Sequence, residues 1–426
     1  MGNTSSNKIV SDEVKMLGEP PAFGHPMLQQ FGFEPSYINL NNGSYGSLPL
    51  PVLTACEKMT REIESNPDRF MRSTYIPILH DVRARIAALV GADTDECVIV
   101  PNATHGINTV LRNFALNEGD IVVINDVTYN AVSRTVQYLK DVNPQIIQSI
   151  FPLTFPITPA IIIEGFRAHL KGLPRKSGCK VIAIIDSIAS IPGALMPWRE
   201  LVKVCKEEDV VSVIDAAHSI GQELDINLNE ADPDFWVSNC HKWLYAKRGC
   251  AVLYVPKRNQ HIIKSSIPTA RNYVSPSDPP GGPEPPNFVE QFLWTGTIDL
   301  VPFLSVHAAL DFRQWIGGEH RINEYCRRLA LVGGKRLAEI LGTHLLDENG
   351  EFTANMVNVG LPLTAEGTLD VLSRINAHLE EKNVNGKPYY HNGKWWVRCS
   401  VQIYNEISDF ERLGKELAEV CKTIDD

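Results

Sequence analysis

This 426-residue sequence has no long hydrophobic run and no excess of positive charge. Apolar stretches such as 160–163 and 181–185 are of strand length, well short of the roughly 20 residues that a membrane-spanning helix needs. The 40 Lys and Arg against 50 Asp and Glu give a net charge of −10. Because nucleic acids and anionic membranes attract basic surfaces, neither is expected as a partner, and a small-molecule substrate is favoured.

Closely spaced cysteine pairs are also missing. The nine cysteines are odd in number and include no CxxC pair, so the sequence predicts no disulfide framework and no metal site. The chain opens without a basic segment followed by an apolar one, so we expect no secretion signal and a cytoplasmic location. Residues 1–6, MGNTSS, match the N-myristoylation pattern. Since one acyl chain without basic residues anchors weakly, a flexible N-terminus over 1–19 is favoured over a lipid anchor.

Short β-branched runs alternate with amphipathic stretches, which is typical of parallel strands joined by helices. The sequence predicts helices at 78–90, 105–114 and 198–207, and strands at 97–101, 121–125, 145–150, 181–186, 210–215, 235–239 and 251–255. We therefore predict an α/β fold with a mainly parallel seven-stranded sheet in a large domain over 46–302. Helical patterns over 303–341 and strand-like runs at 354–360 and 395–403 predict a smaller α+β domain, formed by 303–426 together with 20–45.

The segment 268–286 is rich in proline and glycine and shows no periodic pattern. Segments of this length and composition either cover a binding site or form a surface excursion. Both interpretations stay open.

Polar side chains stand at the ends of several predicted strands, where ligands bind in open sheets of this kind. Lys242 follows the strand 235–239, within the segment SNCHKW. A lysine that leaves a buried strand can lose its solvation, which lowers its pKa and allows an imine with an aldehyde. A solvated loop lysine is the alternative for this hexapeptide taken alone.

Asp215 favours the first interpretation, because a carboxylate at the end of the apolar strand 210–215 needs a partner. A protonated pyridine nitrogen is a suitable one. The segment PNATHGIN at 101–108 marks a strand-to-helix junction, which suits either a phosphate or a simple helix cap. Tyr129 is either an aromatic face at another strand end or a half-buried loop residue. A phosphate turn, an aromatic ring, an aspartate and a lysine, in this order, are what pyridoxal 5′-phosphate (PLP) needs.

These residues belong to longer motifs, through which the chain resembles the class V aminotransferase or cysteine-desulfurase-like superfamily of fold-type I PLP enzymes. The motifs are LNNGSYG at 40–46, NAT at 102–104, DAAH at 215–218, NCHKW at 239–243, WTGT at 294–297 and RCSVQIYN at 398–405. The resemblance covers about 23–417, nearly the whole chain. It implies PLP as cofactor, an amino acid substrate and a homodimer with shared active sites.

The resemblance also implies catalytic roles. Lys242 would hold PLP as an imine and then move the Cα proton of the substrate. Asp215 would pair with the pyridine nitrogen, and His218 would lie near the ring oxygen. Tyr129 would stack on the face of the ring.

A second group of residues would hold the phosphate and the substrate. By resemblance, the phosphate ligands would be Ala103, Thr104, Asn239, His241 and Thr297. Thr297 would reach the phosphate of the neighbouring subunit. Arg398 would bind the substrate carboxylate with a bidentate fork. Asn42 and Arg72 are further substrate-side candidates, and an exposed helix-face arginine is the alternative for Arg72.

Runs at 102–113, 248–252 and 258–261 resemble a fungal branch of this superfamily that includes hercynylcysteine sulfoxide lyases and the ring-forming PLP enzyme of the loline pathway. Two departures bear on the reaction. The cysteine that the lyases carry after the stacking tyrosine is missing from 148–152, and Asn42 stands where they have histidine. The region 387–395 also lacks the nucleophilic cysteine of desulfurases, which disfavours persulfide chemistry.

Several reactions stay open. The leading hypothesis is an enzyme of specialised metabolism that acts at Cα of an amino acid and makes or breaks a C–C or C–N bond, as in ring closure. The alternative is a C–S lyase that works by β-elimination, and an aminotransferase or epimerase comes third. A binding protein that has lost the cofactor is disfavoured, because Lys242 and Asp215 are both present.

Overall fold

The computed structural model describes residues 18–278 and 286–425. The myristoylation pattern at 1–6 and most of the predicted flexible N-terminus lie outside the described residues, as does the part of the Pro/Gly-rich segment over 279–285. Within the described part of the chain, we find no helix that is both long enough and apolar enough to cross a bilayer.

Seven strands form the central sheet. They are β1 (Cys97–Val100), β2 (Ile121–Asn125), β3 (Ile147–Phe151), β4 (Val181–Asp186), β5 (Val211–Asp215), β6 (Phe235–Asn239) and β7 (Ala251–Tyr254). Except for β3 and the first residue of β5, every residue in them is buried, which agrees with their near-continuous valine and isoleucine content. β3 lies at the sheet edge and is partly exposed.

The strand order is β1-β7-β6-β5-β4-β2-β3. β7 runs antiparallel to β1 and β6, and the other pairs are parallel. The predicted α/β class and mainly parallel seven-stranded sheet are therefore confirmed. β3 begins two residues later than predicted, because Ile146 still belongs to the preceding turn, where its N–H binds the carbonyl of Asn143.

Helices connect the strands and cover both faces of the sheet. Those of ten or more residues up to β7 are Leu50–Ser65, Tyr75–Val90, Ala103–Asn113, Asn130–Val142, Pro159–Lys171 and Trp198–Glu207. The helix predicted at 105–114 begins two residues earlier, because the Asn102 side chain accepts the His105 N–H at 2.8 Å and caps it. This cap fixes the backbone between the end of β1 and the start of the helix.

The C-terminal part contains a smaller antiparallel sheet, in the order β8 (Met356–Gly360), β10 (Lys394–Ser400), β9 (Lys387–His391). The sequence did not predict β9. The helical pattern at 303–341 is divided into the helices Val301–Leu304, Val306–Trp315 and Gly318–Leu341, and Leu369–Glu381 and Ile407–Asp425 complete the set. Gly317, at φ 112°, interrupts the pattern because this conformation favours glycine.

The N-terminal segment packs on this C-terminal part. The short strand Ile38–Asn39 pairs in parallel with Val384–Asn385, and the Ser400 N–H binds the Leu40 carbonyl at 2.6 Å. These contacts agree with an N-terminal segment that joins the smaller domain, although the domain limits stay a prediction.

Candidate active site

The candidate residues gather at the carboxyl ends of β4, β5 and β6. The register aligns Asp186 with Asp215 and Asp215 with Val237, so neighbouring strands end close together. The short helix Cys240–Trp243 follows β6 and carries Lys242. Parallel strands in register therefore bring a lysine and two carboxylates from distant segments to one edge of the sheet.

Both the backbone and the side-chain amine of Lys242 contact other residues of the site. Its backbone carbonyl accepts the Asn42 Nδ2–H at 3.0 Å, and its Nζ lies 3.0 Å from His218 Nε2. Burial of the amine and the nearby positive charge of Arg398 lower the pKa of Lys242 to about 8, while Asp215 acts in the opposite direction. A sizeable fraction of this amine is therefore neutral near physiological pH, and only a neutral amine attacks a carbonyl.

A pH dependence follows from this lowered pKa. The rate at which the cofactor-free protein combines with an aldehyde should rise from pH 7 to 9 and level off above it, because the amine loses its proton near pH 8. An ordinary lysine would keep gaining reactivity up to about pH 10.4. Stopped-flow absorbance with PLP as the aldehyde measures the profile, and a rise that continues past pH 10 would contradict the lowered pKa.

Asp215 and Asp186 form a buried acidic pair. Asp215 accepts the Ala217 N–H at 3.1 Å, and burial raises its pKa while the charge of Lys242 opposes the rise. Burial and the charge of Asp215 raise the pKa of Asp186 to about 8, and the Asn125 amide donates to it at 3.2 Å. Burial therefore raises the pKa of both carboxyl groups, and the charge of Lys242 opposes this rise at Asp215.

His218 lies behind the lysine and is almost fully buried. Its Nδ1 accepts the indole N–H of Trp243 at 3.2 Å. Burial and the positive charges of Lys242 and Arg398 lower the pKa of His218 well below its usual range, so the ring is neutral.

Four of the five predicted phosphate ligands lie at or shortly after the ends of β1 and β6. The Ala103 N–H binds Asn239 Oδ1 at 2.8 Å, so these two residues are partners and join the helix start to the end of β6. Thr104 is the next residue of the helix, and its N–H and hydroxyl have no partner among the described residues. His241 Nδ1 lies 3.0 Å from the Cys250 carbonyl. Burial lowers the pKa of His241 to about 4, and a phosphate dianion would favour its charged form.

Arg398 on β10 is buried, and three polar neighbours hold its guanidinium. Nη1 donates to the Ser190 carbonyl at 2.8 Å, and Nη2 donates to Asn41 Oδ1 at 2.9 Å and to Ser44 Oγ at 3.1 Å. Its Nε–H is buried and has no partner among the described residues. Burial lowers the pKa of Arg398 to about 10, so it stays charged at neutral pH with an unused donor. A charged N–H donor of this kind is suited to a carboxylate.

Of the remaining candidates, Asn42 alone contacts a residue of this centre among the described residues. Tyr129 caps the helix Asn130–Val142 and is 48% exposed, so its ring face is open. Asn42 is buried against the Lys242 carbonyl and the Ser47 hydroxyl. Arg72 is 81% exposed and pairs with Asp68, and Thr297 is exposed in a loop. The structure of one chain therefore does not bring Arg72 or Thr297 into contact with Lys242.

Sequence reasoning gave no role to several groups that contact the centre. Asn41, Ser44 and Ser190 surround Arg398, and Trp243 contacts His218. Asn41 and Ser44 belong to the motif LNNGSYG at 40–46. The motif indicates that this segment is part of the site, but it does not show which of its side chains contacts Arg398.

The cysteines offer no accessible thiol at this centre in the described chain. All nine are free, and Cys179 alone is not buried. Cys179 precedes β4, at the end of the sheet opposite to Asp186. Cys399 follows Arg398 but is fully buried, and burial raises its pKa to about 12. A thiolate nucleophile is therefore not available beside the lysine.

Comparison with known proteins indicates the same enzyme family as the arrangement of these residues. Residues 38–413 match the family model of Aminotransferase class-V. The L-cysteine desulfhydrase-like protein lolT1 of Epichloe uncinata is 35% identical and covers 94% of this chain and 96% of its own. Hercynylcysteine sulfoxide lyase of Schizosaccharomyces pombe is 31% identical, and the match covers 95% of this chain and 100% of the lyase. L-cysteine desulfhydrase of Arabidopsis thaliana is 32% identical, and the match covers 90% of this chain and 87% of the desulfhydrase.

Solved structures share the fold. An apo cysteine desulfurase from Thermococcus onnurineus NA1 gives a TM-score of 0.77 at 18% identity, over 95% of this chain and 100% of its own. The cystine C–S lyase C-DES, in complex with its product cysteine persulfide, gives a TM-score of 0.75 at 19% identity, and the match covers 93% of this chain and 99% of the lyase. The fold is therefore that of fold-type I PLP enzymes.

The residues at the strand ends fit PLP by their chemistry. A lysine whose pKa is lowered to about 8 suits its aldehyde, the Asp215 carboxyl group is a partner for a protonated ring nitrogen, and unused donors at Thr104 suit a phosphate. The buried Arg398 Nε–H has no hydrogen-bond partner in the described chain, and a charged donor of this kind suits a carboxylate.

Proposed function

Because the chain belongs to the class V aminotransferase family and is a PLP-dependent enzyme, we propose that it removes the Cα proton of an amino acid and then makes or breaks a C–C or C–N bond, as in ring closure. The single observation that supports this best is the lysine amine with a pKa of about 8 beside a buried arginine that has a free donor. Proton transfer and carboxylate binding are thus provided in one place.

The chain's own residues have distinct tasks in this proposal. Arg398 binds the α-carboxylate through its Nε–H and fixes the orientation of the substrate. Lys242, as a neutral amine, takes the proton from Cα and returns it. Asp215 holds a proton on the ring nitrogen of the cofactor, and Tyr129 covers the ring face. PLP, when bound, supplies the electron sink for the charge left at Cα.

The lack of an accessible thiol among the described residues supports ring closure as the leading outcome. Persulfide chemistry would need a thiolate beside the lysine, and Cys399 is too buried to provide it. A negative charge at Cα, which PLP would stabilise when bound, needs no such group. It can attack a carbonyl or iminium carbon within the substrate, whose π electrons move to oxygen or nitrogen as the C–C bond forms, or it can expel a nitrogen substituent from Cβ together with the electrons of the broken C–N bond. We place this reaction in the specialised metabolism of amino acids, in a homodimer whose Thr297 completes the partner's phosphate site.

β-Elimination of a C–S bond is the second candidate. It is supported by similar proteins, which include a hercynylcysteine sulfoxide lyase and an L-cysteine desulfhydrase. The reaction shares the first proton transfer. The Cβ–S bond then breaks and the sulfur leaves with its bonding electrons as a thiolate or sulfenate, so no protein thiol is needed, and water releases pyruvate and ammonia from the remaining fragment.

One experiment separates these outcomes. The PLP-loaded protein is incubated in D2O with L-cysteine, hercynylcysteine sulfoxide or L-ornithine, while NMR follows the Cα hydrogen and a coupled assay follows pyruvate. Exchange at Cα of L-ornithine without pyruvate supports the leading proposal. Pyruvate from the sulfur substrates, lost in Lys242→Ala, supports the second candidate. A yellow, PLP-loaded protein that gives neither signal with any of the three would contradict both.

Ser44 provides a prediction on the carboxylate side. Its hydroxyl accepts from Arg398 Nη2 and donates to Asn41 Oδ1 at 2.7 Å, so Ser44→Ala should loosen the guanidinium. We expect KM for the amino acid substrate to rise about fivefold with little change in kcat, as for the loss of one hydrogen bond of about 1 kcal/mol. Ser73→Ala, which removes a serine bound only to the Arg69 carbonyl, is the matched control. Equal KM values in both variants would show that Ser44 does not support Arg398.

A further inference from the structure

Three side chains form a chain of contacts behind the site. The indole N–H of Trp243 donates to His218 Nδ1 at 3.2 Å. The other ring nitrogen, Nε2, lies 3.0 Å from Lys242 Nζ. Trp243 is fully buried and packs in one small cluster with Ile188 and Met356, which leaves its ring little freedom.

The chemistry of these groups decides where the protons are. An indole N–H can only donate, so His218 Nδ1 accepts and carries no proton. The single proton of the neutral imidazole is therefore on Nε2, and it points at Lys242. Since an ammonium group is also only a donor, the contact at 3.0 Å is favourable when the lysine is a neutral amine that accepts.

We propose that Trp243 is a positioning residue that fixes the proton of His218 on Nε2 and thereby keeps Lys242 in its uncharged, reactive form. This inference rests on the proposed role of Lys242, and it adds the group that sets its protonation state. Without the indole donor, His218 is free to move its proton to Nδ1. Its Nε2 would then accept from a lysine ammonium and would favour the charged form.

Other charged groups also act on the pair, and none of them is removed by a substitution of Trp243. Arg398 on β10 disfavours positive charge on Lys242, and Asp215 at the end of β5 favours it. His241, next to the lysine, also acts on His218. The backbone carbonyl of Trp243 accepts from Arg313 at 2.8 Å, and this contact does not involve the indole. The indole N–H is therefore the component that a single substitution can remove separately.

Trp243→Phe tests the inference, with Trp236→Phe as the matched control. Trp236 is also fully buried, and its indole N–H has no partner among the described residues. The readout is the pH dependence of PLP uptake by the cofactor-free protein. We expect Trp243→Phe to raise the apparent pKa of Lys242 by about one unit, and so to slow uptake up to about tenfold at pH 7. Trp236→Phe should leave it unchanged. No shift, or equal shifts in both variants, would overturn the proposal.

Two further variants keep the test decisive. Trp243→Met also removes the donor and fills irregular space, so it replaces the phenylalanine variant if that one does not fold. In a His218→Gln background there is no tautomer to fix, so Trp243→Phe should no longer shift the pKa. A shift of the same size in both backgrounds would contradict a role through His218. Because PLP uptake requires no substrate, failure here is distinguishable from failure of the proposed reaction.

Discussion

Replacing Lys242 by alanine is expected to lower turnover of the amino acid substrate by at least about 10⁴-fold, because one amine both holds the cofactor and moves the Cα proton. Among the described residues, the groups that contact this amine or act on it electrostatically are His218, Arg398 and Asp215, and none of them is an amine that can replace it. PLP should still bind through the phosphate and ring contacts, but it should be lost on gel filtration. The measurement is steady-state turnover together with the absorbance of the filtered protein.

The control for this variant is Lys247→Ala. Lys247 lies five residues further along, pairs with Asp299 at 3.7 Å and is not in contact with His218. Its loss should change turnover less than about twofold, as for an exposed ion pair. Turnover of Lys242→Ala within tenfold of the unchanged protein would show that another group moves the proton.

Replacing Arg398 by alanine is expected to lower kcat/KM for an amino acid by about 10²- to 10³-fold, as for the loss of a buried, charge-assisted contact. The reason is the contact that we propose between the substrate carboxylate and the buried Nε–H, which has no partner in the described chain. The same substitution removes a positive charge that lowers the pKa of Lys242, so the acid limb of the pH–rate profile should move to higher pH. Both effects are measured in one set of pH-dependent kinetics.

A substrate analogue without the carboxylate serves as the control for Arg398→Ala. An amine that lacks the carboxylate should react equally slowly with both proteins, because it cannot use the guanidinium. Arg398→Lys should recover the position of the acid limb but only part of kcat/KM, since an ammonium group cannot bind a carboxylate with a fork. A loss of the same size with the amine and with the amino acid would indicate structural damage rather than a lost contact.

The sheet could be predicted from the sequence because its strands are short, apolar runs. β2, β4 and β6 have the bounds that the patterns predict. β9 escaped prediction, since Lys387 and Pro388 interrupt the apolar pattern of a strand at the edge of its sheet. The three-way division of 301–341 depends on local turns that periodicity does not show.

The centre of the site was predictable because strand ends meet at one edge. Lys242, Asp215 and His218 could be placed there from the order of the strands alone. Which side chain of LNNGSYG faces Arg398 could not be predicted, since that depends on how the chain turns after Leu40. The structure puts Asn41 and Ser44 on the guanidinium and turns Asn42 to the lysine backbone.

Protonation states were also beyond the sequence. Asp186 follows a run of apolar residues just as Asp215 does, and the difference between them depends on the position of Lys242. The tautomer of His218 depends on a tryptophan 25 residues further along, in contact only after folding. Such effects need the positions of all neighbouring charges, which a pattern of residue types does not contain.

The most direct test of the account is to trap the cofactor on the amine that holds it. The PLP-loaded protein is treated with sodium borohydride, digested and mapped by mass spectrometry. We predict one modified peptide, with the added mass on Lys242 and none on the neighbouring Lys247. Modification of a different lysine, or of no lysine in a protein that has taken up PLP, would contradict the assignment of this strand end as the catalytic centre.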